Sequence, residues 1–225
     1  MKRPDLILFA KHPQPGAVKT RVAATLGDAR AAELAAWLLR ATVALATEFW
    51  PGEVWLYGAP DAGHPLFTEL EREFHIHLSV QRGADLGERM RAALAEGIAR
   101  SGAAAVMGCD VPHCPWQVIE HAYDRLAKGH NLIGPSLDGG YYFLGLSAPA
   151  DALFRDMDWG GPKVRAETLA RARDAGIELE PLPVLRDIDS YDDLTAVARD
   201  YPPLREFLAG ARPVAIPIRP RRPGE

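Results

Sequence analysis

The sequence predicts an α/β fold with a mostly parallel, mixed sheet covered by helices on both faces. Three observations carry that expectation. Short apolar runs alternate along the chain with longer stretches whose apolar residues recur at helical spacing. The runs are continuously apolar rather than alternating, as strands buried on both faces are. The polar residues able to do chemistry follow the runs directly, at the edge where such sheets bind ligands.

Taken in order, Leu6 to Ala10 is the first apolar run and reads as a central strand. A loop broken by Pro13, Pro15 and Gly16 follows, and Asp28 is then placed to cap a helix in which Leu34, Trp37, Leu38, Ala41 and Leu45 share one face. Val54 to Gly58 and Ile76 to Val80 read as strands; Leu86, Met90, Leu94 and Ile98 mark the inner stripe of the next helix. Ala103 to Met107 is a fourth strand, and Pro115 opens a helix where its missing N–H costs nothing. Leu132 and Ile133, then Tyr142 to Leu146, are short strands around an Asp138-Gly139-Gly140 turn. Helical pattern returns at Ala152 to Asp156 and Lys163 to Asp174, and Ser190 with Asp193 forms a capping box before a last helix. One domain over residues 1–211 is expected, followed by an extended or disordered Pro- and Arg-rich tail at 212–225.

Composition narrows the classes of function. A chain of 225 residues with 48% hydrophobic and 25% charged content suits an ordinary globular protein. A net charge of -4 argues against a nucleic-acid partner, so any cationic site must be local. The 2 cysteines are too few for a disulfide framework, no stretch reads as a signal peptide, and no segment approaches the ~20 apolar residues of a membrane span. A cytoplasmic location is the expectation.

The loop after the first strand carries Lys11, Lys19 and Arg21. Lysine is a mobile point charge and arginine grips two oxygens at once, so this loop can neutralise a di- or triphosphate. It is not a Walker A loop, because Val18 stands where that pattern needs glycine before the Lys-Thr pair. Asp110, after Gly108 and Cys109 at the end of an apolar strand, is a natural Mg²⁺ ligand facing phosphates, or else a cap of the following helix. Cys109, His113 and Cys114 lack the second ligand pair of a zinc site. Asp138, Gly139 and Gly140 let backbone approach a bound group and Tyr141 adds a face and a hydroxyl, which suggests an acceptor or sugar site. Gly16, Gln81, Gly83, Asp85, Gly87 and Arg89 sit on loops and a helix start expected at the same edge, and are candidates for holding a nucleotide.

The stretches F-A-K-H-P-Q-P-G-A-V-K-T-R, Q-R-G-A-D-L-G-E-R-M, G-C-D-V-P, G-P-S-L-D-G-G-Y-Y-F-L-G-L and D-I-D-S-Y-D-D-L, in that order, resemble a bacterial family. It was once labelled only as a domain of unknown function and is now placed among nucleotide-diphospho-sugar transferases; members are also called rSAM/selenodomain-associated transferase 1. The resemblance implies a three-layer α/β/α glycosyltransferase-A fold and a nucleotide or nucleotide-sugar substrate with a small-molecule acceptor and Mg²⁺ or Mn²⁺. Asp110 would stand at the metal position, Asp187 or Asp189 at the second carboxylate, and Lys19 and Arg21 at the cations of the nucleotide loop. The implied activity is sugar transfer from a nucleotide-sugar, with Lys19, Arg21 and Asp110 as the catalytic group. Nucleotidyl transfer from a triphosphate is the alternative, and a non-catalytic nucleotide sensor a second one. Two departures stand out: the loop has only Gly16 where many nucleotidyltransferases are glycine-rich, and Gly161 and Pro162 follow Trp159-Gly160 where the family usually has small hydroxylated residues.

Overall fold

The computed structural model describes residues 2–210; the tail expected at 212–225 lies outside them. Seven strands form one sheet: β1 (Asp5–Lys11), β2 (Val54–Ala59), β3 (His77–Val80), β4 (Ala104–Gly108), β5 (Leu132–Pro135), β6 (Tyr141–Leu146) and β7 (Glu180–Pro181). Their order across the sheet is β3-β2-β1-β4-β6-β5-β7. Only β6 runs against its neighbours β4 and β5; all other pairings are parallel. The mostly parallel mixed sheet expected from the sequence is therefore present.

The helices are α1 (Thr20–Leu26), α2 (Asp28–Phe49), α3 (Pro65–Phe74), α4 (Leu86–Ser101), α5 (Trp116–Ala127), α6 (Val164–Asp174), α7 (Tyr191–Ala198) and α8 (Pro202–Leu208), with a 3-10 turn at Asp151–Phe154. Successive residues of β1 bury on opposite faces, which is why its apolar run is continuous. Leu6 and Leu8 join Leu39 and Val43 of α2 and Ile119 of α5. Ile7 joins Ala93 and Leu94 of α4, and Leu153 of the 3-10 turn. A third cluster at one end unites Val22, Leu34, Ile188, Leu194, Leu204 and Phe207.

The local chemistry departs from the sequence expectations in several places. Asp28 is not the cap of α2 but its first residue; Gly27, at φ 82°, takes the cap position and closes the unforeseen helix α1 before it. Pro115 is likewise the residue before α5 rather than its first. Leu86 is 45% exposed and lies off the inner stripe, which Met90, Ala93, Leu94 and Gly97 form instead. Helix α3 starts at Pro65 behind His64, whose ring nitrogen accepts from the Leu66 amide, a stop-and-start signal passed over in the sequence. The Ser190–Asp193 capping box of α7 is complete in both directions.

Candidate active site

Because β1, β2, β3, β4, β5 and β7 share one direction, the loops that follow them all emerge at one edge of the sheet. The sequence-predicted stretches therefore converge there. Backbone bonds tie the C-terminal segment into this edge: Leu185 donates to the Pro135 carbonyl, Leu137 to that of Leu185, and Ile188 to that of Asp110, each at 3.0 Å. The last of these brings Asp187 and Asp189 beside the end of β4.

At the centre stands Lys19. Its backbone is left-handed (φ 48°, ψ 41°) at the entry to α1, an uncommon conformation for a residue with a Cβ. Its ammonium lies 2.7 Å from Asp110 Oδ1 and 2.9 Å from Asp189 Oδ1. The lysine side chain is 8% exposed, whereas the two carboxylates are 41% and 43% exposed. Burial alone would lower the ammonium's pKa, but the charges of Asp110 and Asp189 outweigh it and raise the pKa above the ordinary value.

Asp187 is set deeper, and its Oδ1 is buried without a hydrogen-bond partner; the neighbouring Ser136 hydroxyl, also buried, is unpartnered too. Burial, then the charge of Asp110, with smaller help from Asp138 and Asp189, pushes the Asp187 carboxyl up to about 7; the nearby Ser136 hydroxyl, which lies outside good hydrogen-bond geometry, tempers this only weakly. Asp138 accepts from the Gly140 amide at 2.9 Å in an Asx turn and is exposed. The period of two along β6 then divides the tyrosines. Tyr142 faces Asp187 and donates to the Pro183 carbonyl at 3.0 Å, while the Tyr141 hydroxyl is buried on the opposite side with Met90, Phe154 and Trp159. Neither hydroxyl is therefore offered to an acceptor: that of Tyr141 is buried on the far face, and that of Tyr142, a residue 3% exposed, is spent on Pro183.

The remaining predicted residues divide. Lys11 ends β1, Gly16 sits in the turn at φ 77°, and Arg21 occupies the first turn of α1; all three are exposed. The Gln81 side chain donates to the carbonyls of Ala10 and Tyr57, stitching strand ends together. Asp85 accepts from the Glu88 amide as the cap of α4, and Arg89 donates to the Gly83 carbonyl. Gly87 is buried beneath Trp159: a Cβ there would lie 2.2 Å from the indole. A Cβ on Gly139 would lie 2.0 Å from the Pro162 carbonyl. Both glycines therefore admit the 157–162 loop. Cys109 and Cys114 are buried free thiols, the second pushed up to about 12 by burial.

The sequence pattern of a family described as an uncharacterized protein conserved in bacteria, DUF2064, matches residues 42–161, more than half of the chain. The chain belongs to the DUF2064 family. Its structure resembles that of a Desulfovibrio desulfuricans G20 protein provisionally described as a nucleotide-diphospho-sugar transferase, with a TM-score of 0.76 and 28% identity over 88% of this chain and 87% of that one. The fold recurs in Rv0371C of Mycobacterium tuberculosis H37Rv, solved as a complex with manganese (TM-score 0.54, 15% identity, 89% and 100% covered). It recurs again in a cytidylyltransferase from Leptospira borgpetersenii serovar Hardjo-bovis (TM-score 0.54, 12% identity, 91% and 97% covered). No curated protein matches the chain.

In this DUF2064 member the donors at the edge are all carboxylate oxygens, hard ligands of the kind Mg²⁺ and Mn²⁺ take. Among the described residues no three His, Cys, Asp or Glu side chains are gathered into a closed metal cage. The set fits an ion held by one or two carboxylates and completed by water and substrate oxygens, and the orphaned Asp187 oxygen marks unspent donor capacity. Among the described residues no helix is long and apolar enough to cross a membrane.

Proposed function

We propose that this chain is a metal-dependent transferase that draws a sugar from a nucleotide-diphosphate-sugar and passes it to a small-molecule acceptor. The observation that carries the reading is the Lys19 ammonium held between Asp110 and Asp189, at the edge where a parallel sheet binds ligands. That arrangement collects cation and carboxylates where a diphosphate and its metal need both. The fold shared with the 28%-identical protein provisionally described as a nucleotide-diphospho-sugar transferase supports it. Residues 1–211 would act as one domain.

Asp110 and Asp189 would hold Mg²⁺ or Mn²⁺, since one cation already spans them, with Asp187 behind them as a further oxygen donor. Such an ion, when bound, supplies Lewis-acid charge to a diphosphate. Lys19 and Arg21 neutralise charge that builds on the departing nucleoside diphosphate. Asp138, with one oxygen fixed by the Gly140 amide, offers the other to a hydroxyl of the sugar or acceptor. Lys11 and Gly16 border the phosphate approach.

The test is a panel of nucleotide-sugars incubated with the protein and Mn²⁺ or Mg²⁺, read by release of nucleoside diphosphate. Pyrophosphate release from a nucleoside triphosphate would instead select nucleotidyl transfer, the reading favoured by the fold shared with the cytidylyltransferase. Nucleotide binding that persists unchanged in Asp110→Ala, with no turnover of any substrate, would leave a sensor.

A further inference from the structure

The two carboxylates that would take the metal are not waiting empty-handed: the same two oxygens, Asp110 Oδ1 and Asp189 Oδ1, are bridged by the Lys19 ammonium. A divalent ion taking the same two oxygens would compete with the ammonium for the space between them. Two cations cannot share that position without strong like-charge repulsion. We infer that Lys19 is an exchangeable stand-in for the metal, so that the site admits the ion together with a di- or triphosphate and discriminates against the free ion. This inference rests on the transferase reading above.

The geometry supplies both halves of the exchange. While the ammonium bridges the carboxylates, a lone Mg²⁺ or Mn²⁺ must displace it and leave a nearly enclosed ammonium, on a side chain 8% exposed, without an acceptor. Leaving such a charge unpaired is costly, so free metal binds weakly. A metal–diphosphate complex brings a replacement acceptor with it: as the ion takes the carboxylates, the phosphate oxygens take the ammonium. The carboxylates are 41% and 43% exposed, so an arriving complex reaches them directly, and the enclosed ammonium meets the phosphates only as the ion displaces it. Lys19 also follows directly on the Pro13, Pro15 and Gly16 loop and lies two residues before the exposed Arg21, where a phosphate held by the metal meets a second cation.

The same ammonium then sets the ligand class. A free phosphate has no claim on the carboxylates, and a free divalent ion has none on the lysine. Only a chelate presenting both satisfies every group. The recognised ligand is a metal-bound nucleoside di- or triphosphate, or the diphosphate of a nucleotide-sugar.

Mn²⁺ binding followed by loss of the free-ion EPR signal tests this, with protein alone and with ADP, CDP, GDP, UDP or dTDP. In Lys19→Met, free Mn²⁺ binds at least tenfold tighter than in the wild type, because two neighbouring carboxylates have lost their resident cation. In the same variant the best nucleoside diphosphate, measured at fixed Mn²⁺, binds at least tenfold more weakly. These opposite signs are the signature of exchange. Lys19→Gln repeats both signs if the methionine variant does not fold, and Lys19→Arg, which keeps a cation between the carboxylates, holds free Mn²⁺ affinity near that of the wild type. Free Mn²⁺ affinity unchanged or weaker in the neutral variants, with nucleotide-dependent Mn²⁺ binding retained by the wild type, overturns the exchange alone and leaves the transferase reading standing. No Mn²⁺ bound by any of the proteins with any nucleotide overturns both.

Discussion

Two sets of polar residues at the same sheet edge, one from a single loop and one gathered from three segments, are used in opposite ways. The segment from Gln81 to Arg89 spends these groups on backbone: Gln81 on the carbonyls of Ala10 and Tyr57 in neighbouring strands, and, within the segment, Asp85 on the Glu88 amide, Glu88 on the Ala84 amide and Arg89 on the Gly83 carbonyl. The assembly of Lys19, Asp110, Asp187 and Asp189 holds charge against charge across 170 residues of sequence and still leaves the Asp187 Oδ1 without a partner. Local hydrogen bonding builds a scaffold. Groups brought together from afar, enclosed and incompletely satisfied, are what a fold tolerates where a ligand completes them.

The sharpest way to break this contrast is at Asp110. Asp110→Asn keeps the volume and removes the charge, so turnover of the substrate found in the panel above should fall by more than about 100-fold. Retention of activity within a factor of a few would move the chemistry away from this pair. Lys19 comes next, with the paired changes in Mn²⁺ and nucleotide affinity already given.

Asp187 follows, and its effect is read as stability. Its carboxyl ordinarily titrates at 3.8 and is pushed up to about 7 in the fold, first by burial and then by Asp110. The folded state thus binds this proton more tightly than the unfolded chain. Below the ordinary value both states hold it and nothing is lost; as pH rises from about 4 to about 7 the unfolded chain ionises more readily and stability falls, then stays low. Asp187→Asn removes the penalty. In EDTA at pH 8 its melting temperature should exceed that of the wild type, with a gain of up to about 4 kcal/mol, and the gain should vanish by pH 4. A difference independent of pH would show that Asp187 is not held as described.

Gly87 probes the scaffold loop. The sequence expectation put it against a nucleotide, but the Trp159 indole fills its Cβ position. Gly87→Ala should cost about 1–3 kcal/mol by displacing the indole, with a shift in tryptophan emission that is absent in a Trp159→Phe background. Nucleotide affinity at fixed Mn²⁺ should change little.

Much of the architecture was legible because its signals are local. Continuous apolar runs such as Leu6 to Ala10 can hardly be anything but strands of a covered parallel sheet, and Ser190 with Asp193 announces α7 three residues apart. That Asp110 lies near the cationic loop also followed from strand direction, whereas a place for Asp187 or Asp189 beside it was implied only by the family resemblance. The partners did not. That Lys19 faces Asp110 and Asp189 depends on the Ile188-to-Asp110 backbone bond, a contact 78 residues apart in sequence that no local pattern encodes. That the Tyr141 hydroxyl faces away from the site turns on which face of the sheet each residue of β6 takes, a one-residue phase that an all-apolar strand does not display. Gly87 and Gly139 were legible as close approaches, but the approaching group is the 157–162 loop.

Gln81 is the finest test of the comparison, because the two views of it differ in sign of readout rather than in size. As a nucleotide ligand, Gln81→Leu would weaken binding of the best nucleoside diphosphate about tenfold and leave melting almost unaltered. As a stitch between β1 and β2, its loss removes two donors, at 3.1 and 2.8 Å, from the Ala10 and Tyr57 carbonyls at the strand ends. Ala10 and Tyr57 are both buried, so carbonyls left without this donor should cost about 1–3 kcal/mol of stability. Nucleotide affinity should then stay within about twofold of the wild type. The outcome decides whether recognition at this edge is confined to the charged assembly around Lys19 or extends across β2 to the end of β3.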